Sequence, residues 1–229
     1  MKKLYIYGDS ILRGITYSAE AHRHKLCDGY KLPSIQQLGY EVINHSRMGA
    51  TVMRGTHLLD ATLPDCHGED ATVLLEYGGN DCDFEWNEIS SDPHGVFSPH
   101  TPEERFFELY ARAITVARER GARVILCSLV PIDAGRYLSF ISNGRCAENI
   151  LFWLGDTSML YRYHEHYNRI VERLARVFDC PLLRVREEFL LSHQYRDLIS
   201  PDGIHPTNTG HDLIERTLYT YLSETSACA

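Results

Sequence analysis

Apolar positions along this 229-residue chain follow two rhythms. Short unbroken runs appear at Leu4 to Tyr7, Glu41 to Asn44, Thr72 to Tyr77 and Arg123 to Leu129, with a weaker fifth at Pro181 to Val185. Leu4-Tyr5-Ile6-Tyr7 is β-prone and does not alternate with polar residues, as expected of a parallel strand buried on both faces. Helical spacing fills the intervals. Thr101-Pro102-Glu103-Glu104 opens one helix with a threonine cap, an early proline and an acidic first turn. That helix runs through Phe106, Leu109, Tyr110, Ala113 and Ala117 and stops at Gly121. Met159 to Phe178 and Asn208 to Tyr221 repeat the pattern. Strands alternating with helices predict a three-layer α/β/α sandwich around a central parallel sheet of about five strands. With no internal repeat, residues 1–229 read as one domain. Two connections are long, at about 82–100 and 132–157, the second with a short helix around Ala134 to Ser142. Both follow carboxyl ends of strands, so both should border a ligand site.

Charge and cysteine usage narrow the partners. The balance of 23 Lys and Arg against 31 Asp and Glu gives −8, with no basic stripe. That argues against nucleic acid and against an anionic membrane surface. Seven scattered cysteines (Cys27, Cys66, Cys82, Cys127, Cys146, Cys180 and Cys228) form no CxxC pair, which leaves zinc-ribbon and thioredoxin-like readings without support. Most of them read as reduced, small apolar fillers. No apolar run is long enough to span a bilayer, and no signal segment precedes the first strand. A cytoplasmic protein is expected.

Candidate chemistry sits at strand ends. Gly8-Asp9-Ser10 follows the first run, where open α/β sheets place ligands. A serine hydroxyl is a poor nucleophile until an oriented imidazole takes its proton. His205, with Asp202 three residues before it, supplies such an imidazole. Taken singly, Asp9-Ser10 is also a reasonable helix cap and Asp202-Gly203 a reasonable turn; together these readings lose weight. Gly49 and Asn80 follow the second and third runs, and a glycine amide and an asparagine side chain are suitable donors to an oxyanion.

These segments resemble the SGNH hydrolases, also called GDSL-type esterases and lipases. Gly8-Asp9-Ser10-Ile11 resembles the first block, with isoleucine for the usual leucine, and Asn44 through Gly49 the second. Gly78-Gly79-Asn80-Asp81 resembles the third, with Gly79 where many members carry threonine, and Asp202-Gly203-Ile204-His205-Pro206 the last. The resemblance implies a flavodoxin-like fold and a Ser-His-Asp esterase with no cofactor. Ser10 would be the nucleophile and His205 the base and then the acid, with Asp202 orienting it. The Ser10 amide, the Gly49 amide and the Asn80 side chain would form the oxyanion hole.

The remaining polar residues have simpler readings. Asp9 and Asp81 should brace loops by accepting hydrogen bonds. The pairs His22/His24 and His164/His166, and His94 with His100, lack the spacing of a zinc site when read on helices, so no metal is expected. Most aromatics of the two long connections should pack those segments onto the body, while Trp86, Tyr137, Phe140 and Trp153 are candidates for lining a substrate pocket. The expected activity is hydrolysis of short-chain carboxylic esters, including O-acetyl groups on carbohydrate, with a small-molecule ester as partner. The alternatives are a lysophospholipase or thioesterase taking longer acyl chains, and a non-catalytic binding module on the same fold.

Overall fold

The computed structural model describes residues 2–27, 30 and 32–227, so Cys228 lies outside the described residues. The unbroken apolar runs become strands covered on both faces. After β1 (Lys2–Gly8) the chain makes a small antiparallel hairpin, β2 (Ile15–Ser18) and β3 (Arg23–Leu26), then α1 (Pro33–Gln37). Next come β4 (Tyr40–Asn44), α2 (Val52–Thr62) and β5 (Ala71–Glu76). Helices α3 (Trp86–Ser91) and α4 (Glu103–Glu119) lead to β6 (Arg123–Cys127). Beyond it lie α5 (Ala134–Ile141), α6 (Ala147–Leu154) and α7 (Ser158–Val177), then β7 (Leu182–Leu183), α8 (Val185–Leu191), α9 (Tyr195–Leu198) and α10 (Asn208–Ala227).

The main sheet has five parallel strands in the order β4-β1-β5-β6-β7. Side chains of alternate strand residues point to opposite faces. Tyr5, Tyr7, Val73, Leu75, Val124 and Leu126 therefore join one core with residues of α2, α4 and α7. Leu4, Ile6, Leu74, Ile125 and Leu183 join the other with residues of α1, α8 and α10. This is the expected three-layer sandwich. The expected strand Arg123 to Leu129 ends earlier, at Cys127, and the weak fifth strand pairs over two residues only.

Both long connections carry more helix than their sequences announce. The first contains α3, and the second contains α6 besides the expected α5. Phe84, Trp86, Ile89, Ile132, Tyr137, Ile141, Ile150, Leu154 and Leu160 bury one another in a satellite core beneath them. The two insertions thus form a cap at the carboxyl edge of the sheet. Five of the described cysteines are buried and Cys146 is exposed, and no disulfide forms among the described residues. No helix among the described residues is long and apolar enough to cross a membrane.

Candidate active site

In a sheet of this order the crevice opens between neighbouring strands whose following connections run to opposite sides, here β1, which leads to β4, and β5, which leads to β6. Ser10 follows β1 and Asn80 follows β5, so register alone brings them to one rim. Asp9 accepts a hydrogen bond from the Ile11 amide at 2.8 Å, which turns the chain sharply after β1. The turn leaves Ser10 largely buried beside the crevice.

Asp202 and His205 come from a tight loop before α10. The loop is pinned by an antiparallel bridge between Ile199 and Pro206 and by the Ser200 amide donating to the His205 carbonyl at 2.7 Å. Gly203 adopts a φ of 82° there, and a Cβ at this position would meet Tyr137 N at 2.3 Å and the Asp133 carbonyl oxygen at 2.6 Å. Only glycine lets this loop and the start of α5 approach so closely.

Across the crevice, His205 Nε2 lies 2.9 Å from Ser10 Oγ, and His205 Nδ1 lies 2.6 Å from Asp202 Oδ2. A carboxylate can only accept, so Nδ1 carries the hydrogen and the Nε2 lone pair faces the Ser10 hydroxyl. Asp202 is fully buried. Burial pushes its carboxyl up, but hydrogen bonds from His205 and His24 outweigh burial and hold it well below the usual carboxylate range. The His205 and Ile204 amides both donate to its other oxygen at 3.2 Å. The result is an ionised carboxylate with both oxygens engaged.

A second group of carboxyls behaves in the opposite way. Asp9 and Glu76 are buried together, with the Asp9 amide 3.4 Å from Glu76 Oε2. Burial, and then the adjacent Asp9 charge, push the Glu76 carboxyl well up. Asp81 accepts from the Val52 amide through both oxygens at 3.0 and 3.1 Å, and burial raises it to about 7. Asp9 and Asp81 therefore brace loops, as expected.

Asn80 Nδ2 donates to Asp9 Oδ2 at 2.9 Å and, at a longer 3.3 Å, to the Ala50 carbonyl. Gly49 lies in the exposed turn before α2 with a φ of 69°. Ser10, Asn80 and His205 border a cavity of about 80 Å³, and Gly49 is outside its lining. Trp86 and Tyr137 line it, both bonded to Asp83 Oδ1, at 2.8 and 2.7 Å. Phe140 and Trp153 do not. Phe140 packs edge-on against Tyr17 and His24, and Trp153 against Phe84, Trp86 and Phe97. Both aromatics serve the packing of the insertions.

The histidine pairs divide. His164 is buried against the cavity, where burial and then the Arg186 charge lower it to about 3 and keep it neutral. His166 pairs with Glu103, His94 packs edge-on against Phe152, and His100 Nδ1 donates to the Asn80 carbonyl at 2.9 Å. His24 corrects a premise of the sequence reading. It lies on strand β3 and not on a helix, and its Nε2 reaches Asp202 Oδ2 at 3.2 Å. His24, Asp202 and His205 each offer a ligand atom within 4.8 Å of the others, a set suited to a transition-metal ion. Sequence reading missed His24 and Glu76 in these places. The β-branched residues at Ile15 and Thr16, followed by the short polar turn before Arg23, were the available signal for the hairpin.

Comparison with known proteins agrees with this architecture. The GDSL-like Lipase/Acylhydrolase family matches residues 6–213. A lipase/acylhydrolase from Enterococcus faecalis superposes with a TM-score of 0.66 at 17% identity, over 98% of this chain and 97% of that one. An acetyl xylan esterase, AlAXEase, gives 0.61 at 19% identity over 96% and 98%. TesA gives 0.59 at 21% identity over 96% and 98%. At these identities the structural likeness speaks for the fold alone. No curated protein sequence matches the chain significantly. With the family matched across almost the whole chain, on the fold that its solved relatives share, the protein belongs to the GDSL-like lipase/acylhydrolase family of ester hydrolases.

Proposed function

We propose that the protein hydrolyses short-chain carboxylic esters through a covalent acyl-enzyme on Ser10. The observation that carries this reading is the continuous relay from Asp202 through His205 to the Ser10 hydroxyl, at 2.6 and 2.9 Å. His205 Nε2 takes the Ser10 proton as Oγ attacks the ester carbonyl carbon, and the carbonyl π pair moves onto oxygen. The Asp202 carboxylate stabilises the imidazolium that forms. Collapse of the tetrahedral intermediate breaks the bond to the alcohol oxygen, which receives the proton from Nε2. Water, deprotonated by His205 in its turn, releases the acid and regenerates Ser10.

The Ser10 and Gly49 amides and the Asn80 side chain are the proposed donors to the oxyanion. Asn80 is oriented for this role by Asp9, and an oxyanion would compete for the hydrogen that makes the longer bond to the Ala50 carbonyl.

Cavity size favours short acyl groups. Its roughly 80 Å³ is walled on one side by Phe84, Trp86, Tyr137 and Leu160, which belong to the satellite core. Polar groups in the lining, including Asp83 and His164, suit a polar alcohol such as an acetylated sugar better than a lipid chain. Comparing kcat/KM for p-nitrophenyl esters from acetate to palmitate, beside acetylated sugars, tests the reading. Acetate to butyrate should be the best esters, and faster cleavage of long-chain esters would refute it in favour of a lysophospholipase or thioesterase.

A further inference from the structure

His24 sits where the esterase reaction does not require a residue. It is delivered by the β2–β3 hairpin, which is anchored to the Asp202 loop by Thr16 Oγ1 bonding Ser200 Oγ at 3.0 Å. Its ring lies 4.6 Å from that of His205, at 63°, and packs edge-on against Tyr17 and Phe140. Its Nε2 addresses the same Asp202 oxygen as His205 Nδ1. Two imidazoles thus converge on one ionised, buried carboxylate, and the His24 side chain remains 25% exposed as the way in.

The geometry points to a binding site for a divalent transition-metal ion, zinc above all, formed by His24 Nε2, Asp202 Oδ2 and His205 Nδ1, whose occupation switches hydrolysis off. Imidazole and carboxylate are the ligands zinc favours, whereas Mg²⁺ and Ca²⁺ require oxygen-rich sites. Zinc ligands about 2.1 Å from the ion in tetrahedral array lie roughly 3.4 Å apart. The His24–Asp202 separation of 3.2 Å is already close to that. The His205–Asp202 separation of 2.6 Å would lengthen by about 0.8 Å, a small side-chain rotation. Water would complete the coordination.

Inhibition follows from the tautomer. Zinc bonded to Nδ1 takes the lone pair on that nitrogen, so the single hydrogen of the neutral ring moves to Nε2. A protonated Nε2 cannot accept the Ser10 proton. The ion also neutralises the Asp202 charge that would stabilise an imidazolium. The inhibitory half of this inference rests on His205 acting as the base; the binding half does not.

The two halves are separated by measuring binding in a protein with Ser10 replaced. Zinc chloride titrated calorimetrically into metal-stripped wild type and Ser10→Ala should bind at one ion per chain in both. His24→Gln and His24→Ala, each verified as folded by circular dichroism, should bind at least tenfold more weakly. Cobalt(II) should give visible d–d bands with the wild type that both His24 variants lose, and magnesium chloride should not bind. Zinc should inhibit wild-type hydrolysis of p-nitrophenyl acetate reversibly, with EDTA restoring the metal-free rate. The inhibitory concentration for each His24 variant, measured against its own metal-free rate, should rise at least tenfold. Equal zinc affinity in wild type and both His24 variants would overturn the site, as would the absence of stoichiometric binding. Zinc bound at this site without loss of activity would overturn the switch alone. Undiminished turnover by Ser10→Ala would remove the esterase mechanism and leave the binding result standing.

Discussion

Two sets of buried carboxyls flank Ser10, and they are kept in opposite states. Asp202 is surrounded by donors, two imidazoles and two backbone amides, and stays ionised despite complete burial. Glu76 faces Asp9, and like charges at close range in a dry site cannot both persist, so burial and Asp9 push Glu76 towards its neutral form. The difference lies in the donors that each backbone delivers. The loop before α10 is wound so that its own amides point at Asp202, whereas strand β5 has committed its amides to the sheet before Glu76 is reached. On this account a charged carboxylate sits on the histidine's side of the serine, and a proton-retaining pair sits on the side that braces Asn80.

Breaking the charged side should have the larger consequences. His205→Ala should lower kcat by a factor on the order of 10⁴ to 10⁶, because it removes the base itself. Asp202→Asn should cost on the order of 10³ to 10⁴ in kcat while KM changes little, since the carboxamide can hold the ring in the wrong tautomer. Steady-state kinetics on p-nitrophenyl acetate decides both, and full activity in Asp202→Asn would assign the orienting role to another group.

Asn80→Ala lies at the junction of the two sets. It should lower kcat by a factor on the order of 10² to 10³, with a smaller change in KM, if the amide stabilises charge that develops only in the transition state. A rise in KM at constant kcat would instead make Asn80 a ground-state binding group. Glu76→Gln should keep activity within about tenfold of wild type, because a carboxamide retains a donor where the neutral acid has one. A loss as large as that of Asp202→Asn would erase the distinction between the two sets.

The smallest effect concerns stability. Asp81 is raised from 3.8 to about 7 in the folded protein. A raised carboxyl contributes stability that is fully present below the unfolded value and is lost as pH rises through the folded value. Between pH 4 and 7 the wild type should therefore lose a contribution that Asp81→Asn never had. Denaturant unfolding at pH 4.5 and 7.5 should find the variant gaining on the wild type as pH rises, and a constant difference would show that Asp81 ionises normally.

Residues that bury themselves made the fold legible in the sequence. Leu4 to Tyr7 and Thr72 to Tyr77 announce strands because both faces are covered, and α4 and α7 announce themselves through spaced apolar residues. Ser10, Asn80, Asp202 and His205 were legible because their types and positions at strand ends and before the last helix resemble a family. The hairpin that carries His24 was not. Its second strand, Arg23–Leu26, is short, mostly polar and largely exposed, and the hairpin is held to the Asp202 loop through Thr16 of its first strand rather than by an apolar pattern of its own. Trp153 and Phe140 were equally opaque. Their bulk favours burial, but only the arrangement of α3, α5 and α6 decides whether they face the cavity or each other's neighbours.

In the proposed mechanism Ser10 Oγ, once activated by His205, is the nucleophile that takes up the acyl group. The direct measurement is active-site labelling with a fluorophosphonate, followed by peptide mass spectrometry to locate the adduct. One adduct per chain is expected on Ser10, formed at least a hundredfold more slowly in His205→Ala and absent in Ser10→Ala, which should also be inactive. An adduct on another residue, or ester turnover by Ser10→Ala at the wild-type rate, would contradict it.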